Sequence, residues 1–60
     1  MSNLVSRPEA ARYLSDRGLR IAAATLAKLA VTGLGPPYRI ALSRAVYDTA
    51  DLDAWAASRL

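Results

Sequence analysis

The sequence predicts a small, mainly α-helical domain carrying one β-hairpin, in the order helix, turn, helix, two-stranded hairpin, helix. Three observations predict it. An alanine-rich run from Ile21 to Thr32 closes on Gly33-Leu34-Gly35-Pro36-Pro37. Ala, Leu and Lys favour helix, glycine can take the left-handed conformation that ends one, and the prolines forbid its resumption. Ser6-Arg7-Pro8-Glu9 stands ahead of Ala10, Ala11, Tyr13 and Leu14, which is the form of a capping box opening an amphipathic helix. Beyond Pro37 the helical spacing gives way to short runs rich in β-branched and aromatic residues, and it returns at Asp48.

Taken in order, Asn3-Leu4-Val5 is a short apolar stretch compatible with a brief strand. The first helix is expected from Arg7 to about Arg17, with Pro8 in the first turn, where its missing donor costs nothing, and Gly18 as terminator. Leu19-Arg20 joins it to the central helix. That helix has a poor start, because Ala22 stands where Ser, Thr or Asp would cap it, a loss of about 1 kcal/mol. Its inner stripe is expected to be Ala22, Leu26, Leu29 and Ala30, leaving Ala23, Ala24, Ala27, Lys28 and Val31 outside. Tyr38 to Leu42 and Ala45 to Asp48 form the hairpin about a Ser43-Arg44 turn, so that Ile40 faces Tyr47, Leu42 faces Ala45 and Arg39 faces Asp48. Ser-Arg is a poor pair for a tight primed turn, which leaves the register open by one residue. The last helix is capped by Asp48 or Thr49 and buries Leu52, Trp55, Ala56 and Leu60. Trp55 is expected to anchor a core shared with Leu14, Leu26 and Leu29.

Sixty residues make one domain, residues 1–60, which buries about 60% of the surface its unfolded chain exposes. With neither Cys nor His, a disulfide, a structural zinc and the usual activated nucleophiles are not expected, so no enzyme, metal site or cofactor is predicted. No apolar run approaches the roughly 18 residues of a membrane span, and the N-terminus lacks the regions of a signal peptide; a cytoplasmic location away from membranes is the expectation. The net charge is +3 and unevenly spread. Arg20, Lys28, Arg39 and Arg44 occupy a stretch with no acid, followed by Asp48, Asp51 and Asp53 against Arg59. A basic centre beside an acidic flank is the electrostatic footprint of a small nucleic-acid binder, though a solvated basic face with no partner has the same composition.

Pro8-Glu9-Ala10-Ala11-Arg12-Tyr13-Leu14, Ala24-Thr25-Leu26-Ala27-Lys28, Gly33-Leu34-Gly35-Pro36-Pro37-Tyr38, and Val46-Tyr47 followed by Asp51-Leu52-Asp53-Ala54-Trp55 resemble the excisionase-type, MerR-like (AlpA-like) winged helix-turn-helix proteins of phages and mobile elements. The likeness spans nearly the whole chain. It implies that the second helix enters the major groove and that the hairpin is a wing reaching a minor groove or the backbone. Members serve as recombination directionality factors or transcriptional regulators, assembling on adjacent sites. Further copies of this chain and an integrase are therefore implied partners beside double-stranded DNA. By position, Thr25 and Lys28 match the DNA-facing helix positions and Arg44 a basic residue at the wing tip. The chain departs from the pattern at Ala22, Ala23, Ser43, Ala45 and Asp48, which lowers the charge of the expected interface.

Two functions follow. In the first, Arg20, Arg39 and Arg44 contact phosphate or the minor groove, Lys28 a base edge or phosphate, and Ala24, Ala27 and the Thr25 methyl meet thymine methyl groups. In the second, the chain is a protein-binding adaptor that keeps the fold, its smooth central helix packing against another protein.

Overall fold

The structure, a computed structural model, describes residues 3–59. Strand β1 (Leu4–Ser6) runs directly into helix α1 (Arg7–Asp16), because Ser6 is at once the last strand residue and the helix N-cap. The capping box is present in both directions. The Glu9 amide donates to Ser6 Oγ at 3.3 Å, and the Ser6 amide donates to Glu9 Oε1 at 2.9 Å. The Ser6 amide and then the Ser6 side chain, with Arg12 nearby, hold the Glu9 carboxyl below its ordinary pKa. The helix ends on Gly18 at φ 93°, after which the Leu19 amide returns to the Leu14 carbonyl at 3.0 Å.

Helix α2 (Ala23–Thr32) starts at Ala22 with no side-chain cap, as its sequence predicts, and stops at left-handed Gly33. The Leu34 amide then bonds back to the Leu29 carbonyl at 3.1 Å. Gly35 passes so close to α2 that a Cβ there would lie 2.9 Å from Leu29 Cβ, which fixes glycine at this point of the connection. The facing of α2 differs in detail from the expected stripe. Leu26 is buried and Leu29 and Ala30 are half-buried, but Ala22 is exposed at the cap, and Ala23 and Ala27 are half-buried rather than outward. The outward arc is Ala24, Thr25, Lys28, Val31 and Thr32, with Lys28 at its middle.

Strands β2 (Arg39–Ala41) and β3 (Arg44–Asp48) form the hairpin, and β1 pairs on the other side of β3, giving a three-stranded antiparallel sheet in the order β1-β3-β2. The fold is thus three helices with a small sheet rather than helices with a two-stranded ribbon. The turn is Leu42-Ser43, at φ 50° and 65°, and not Ser43-Arg44. The register is Arg39 with Val46, Ile40 with Ala45 and Ala41 with Arg44, which displaces the expected pairs of Ile40 with Tyr47, Leu42 with Ala45 and Arg39 with Asp48. Strand β3 is also paired along its other edge. Leu4 pairs with Asp48, Val5 with Tyr47 and Ser6 with Val46, and the Thr49 amide bonds to the Asn3 carbonyl at 2.9 Å. The tight turn then demands left-handed backbone at two residues that are neither Gly nor Asn, about 1 kcal/mol or more for each.

Asp48 ends β3 and caps helix α3 (Thr49–Ala57), its Oδ1 accepting from the Ala50 amide at 2.9 Å. Helix α1 is the hub, packing against α2, α3, β1 and β3. The core is Ala10, Leu14, Leu26, Tyr47, Leu52 and Ala56. Tyr47, on the central strand, is its largest fully buried side chain. Trp55 is not the anchor the sequence suggests: it is half-buried at the margin, and Leu29 is likewise only half-buried. Leu60, expected on the same stripe, lies outside the described residues.

Candidate nucleic-acid interface

The basic side chains divide into two sets according to what they touch. Arg7 Nε donates to Tyr47 Oη at 3.1 Å, and its guanidinium lies 5.8 Å from the Tyr38 ring centre and 5.9 Å from that of Tyr47. This contact satisfies the hydroxyl that Tyr47 carries into the core. Arg17 bonds to Asp53 Oδ1 at 2.9 Å and stacks on Tyr13, 3.7 Å from the ring centre. Tyr13 Oη donates to the same carboxylate oxygen at 2.9 Å, and desolvation followed by that bond raises its pKa. Arg59 donates to the Leu34 carbonyl at 2.8 Å and lies over Trp55, whose Nε1 donates to the same carbonyl at 3.3 Å. Trp55 and Arg59 therefore fasten the connection that follows α2. Arg12 is exposed and makes no side-chain hydrogen bond or ion pair among the described residues, though its charge helps to lower the Glu9 pKa.

The other set is Arg20, Lys28, Arg39 and Arg44. All four are exposed, and none makes a side-chain hydrogen bond or ion pair among the described residues, where Arg17 with Asp53 is the ion pair present. Arg20 lies in the connection between α1 and α2. Ala24, Thr25 and Lys28 share the outward arc of α2, three and four residues apart, and so are surface neighbours. Arg39 and Arg44 belong to β2 and β3. Because Arg39 pairs with Val46 and Arg44 with Ala41, both sit on the face of the sheet opposite Tyr47, and hence opposite the helices.

The six candidate residues thus form a helix group of Arg20, Ala24, Thr25 and Lys28, and a hairpin group of Arg39 and Arg44, linked through residues 33–38. Arg44 is not at the hairpin tip, as a Ser43-Arg44 turn would place it, but opens β3 one residue beyond the turn. The tip is Leu42, 97% exposed, and Ile40 on the same ribbon is 67% exposed. In sequence Leu42 reads as a strand residue and does not stand out. The signal was available: a large apolar residue one position before Ser-Arg, in a ribbon with no turn-forming pair.

Among the described residues no group of three or more His, Cys, Asp or Glu is placed to hold a metal ion, and no helix is long and apolar enough to cross a membrane. No protein-family model, curated protein or solved structure matches the chain.

Proposed function

We propose that this protein binds double-stranded DNA with a sequence preference, as a winged helix-turn-helix in which α2 enters the major groove and the β2–β3 hairpin follows the adjacent backbone and minor groove. The observation that carries the reading is that Arg20, Lys28, Arg39 and Arg44, the four cations of the acid-free stretch 18–47, are exposed and make no side-chain hydrogen bond or ion pair among the described residues, whereas Arg7, Arg17 and Arg59 are engaged within the molecule and Arg12 lies near Glu9. Exposed cations without carboxylate partners are ready for phosphate at no cost in broken ion pairs. Lys28 at the middle of the outward arc suits a guanine edge or a flanking phosphate, and the small Ala24 and the Thr25 methyl admit close approach to thymine methyl groups.

Four phosphate contacts make for modest affinity per chain, so tight binding calls for copies on adjacent sites or for a partner such as an integrase. In this reading the chain is no enzyme and works in the cytoplasm, in excision or in transcriptional control of a mobile element. A second reading, a protein-binding adaptor, draws on Val31, which is 88% exposed on the same arc.

Lys28→Glu separates the two. The position is exposed and Glu is a good helix former, so the variant folds. If the arc meets DNA, the shift of a labelled duplex at low salt disappears. A folded Lys28→Glu protein that still shifts duplex DNA overturns the recognition-helix reading and favours the adaptor.

A further inference from the structure

We propose that Leu42, at the tip of the β2–β3 hairpin, is an apolar wedge that enters the minor groove of duplex DNA and partly unstacks a base step, bending the duplex. The inference rests on the DNA-binding reading above and adds to it a residue, a groove and a deformation.

Three features of the tip point the same way. Leu42 is the most exposed large apolar side chain of the described residues, while Leu14, Leu26 and Leu52 are fully buried. Its backbone is left-handed, with φ 50°; Asn or Gly meets that requirement at less cost, so turn chemistry gives no reason for a leucine. Its chain neighbours Ala41 and Ser43 are small, which leaves the leucine as the group that projects.

The surroundings select the occupant. Arg39 and Arg44 flank the turn and are unpaired among the described residues, and the stretch from Tyr38 to Tyr47 contains no acid. Cationic side chains beside an apolar tip match the minor groove, whose potential attracts Arg and where Leu and Ile serve as wedges between base steps. A protein socket is less well matched, because a stable protein interface takes about 800 Å² from each partner and a lone turn residue offers a small part of that. A wedge acts singly, and Ile40 behind it on the ribbon extends the apolar surface that follows it in.

The test uses the whole chain and an end-labelled duplex of about 20 base pairs with a central, easily unstacked TA step. 2-Aminopurine replaces the adenine of that step. Wild-type protein at saturation should raise the 2-aminopurine fluorescence and shorten the end-to-end distance read by energy transfer. Leu42→Asn and Leu42→Gly suit the left-handed backbone and should melt no lower than wild type. They should still shift the duplex at low salt, with affinity reduced about tenfold and an unchanged salt slope, but without the fluorescence rise or the bend. Leu42→Met, which keeps an apolar wedge, should retain both. Saturating wild-type binding with no unstacking and no bend overturns the wedge alone and leaves DNA binding standing. The same holds for a Leu42→Asn variant that bends DNA as wild type does. Absence of any shift by the wild-type protein removes the DNA-binding reading and the wedge together.

Discussion

Helix α1 with α3 and residues 46–48 of β3 makes one half of this molecule, and α2 with the hairpin from Arg39 to Arg44 makes the other; the two halves use the same kinds of residue in opposite ways. In the first half the largest core side chains are enclosed, and Arg7 and Arg17 are occupied. Tyr47, Leu14 and Leu52 are fully buried, Arg7 serves the Tyr47 hydroxyl, and Arg17 serves Asp53. In the second half Lys28, Arg39 and Arg44 have no partner among the described residues, and Val31, Ile40 and Leu42 are exposed. A chain of sixty residues has little apolar surface with which to build a core. Leaving several large apolar groups and the cations Lys28, Arg39 and Arg44 unused for folding marks the second half as the one kept for a partner.

The largest expected effect falls in the enclosed half. Tyr47→Ala should cost about 3–5 kcal/mol, most of the stability of so small a domain, whereas Trp55→Ala should cost clearly less because that ring is half-buried. Chemical denaturation of the two variants decides it, and a Trp55→Ala protein weaker than Tyr47→Ala would reverse the ranking of the two aromatic residues.

The seam between the halves comes next. Gly35→Ala puts a methyl group 2.9 Å from Leu29 Cβ, so α2 or its connection must shift, at about 1–3 kcal/mol. Thr25→Ala, on the outward arc a few residues away, should stay within about 0.5 kcal/mol of wild type. Equal melting temperatures for these two variants would mean that the connection is loosely held.

The smallest effect is a pH dependence at the start of α1. The folded pKa of Glu9 lies below its unfolded value, so its contribution is fully present above the unfolded value and is lost as pH falls through the folded one. Glu9→Gln should therefore flatten the acid limb of a stability-versus-pH curve slightly, and an unchanged acid limb would show the capping carboxylate contributing nothing.

What the sequence made legible was local. The Ser6 and Glu9 capping box, the stop at Gly33 and the missing cap at Ala22 each depend on residues within a few positions, and each stands as read. The pairing of β1 with β3 was not legible, because Val5 and Tyr47 are brought together by packing on α1 rather than by any short-range pattern. The turn was misplaced by one residue because neither Leu42-Ser43 nor Ser43-Arg44 has the chemistry of a primed turn, and the pairing around it decides between them. Trp55 was favoured over Tyr47 on size, yet position on the central strand governs which is enclosed. For the candidate site, the acid-free stretch already pointed to Arg20, Lys28, Arg39 and Arg44. Only the structure shows Arg7, Arg17 and Arg59 engaged within the fold.

The salt dependence of duplex binding decides whether Arg20, Lys28, Arg39 and Arg44, unpaired among the described residues, form a DNA-binding surface. With each meeting a phosphate, the logarithm of the binding constant should fall against the logarithm of salt concentration with a slope of about −3.6, and Arg44→Ala or Arg39→Ala should each bring it nearer zero by about one. A slope near zero, or one that Arg39→Ala and Arg44→Ala leave unchanged, would contradict the account.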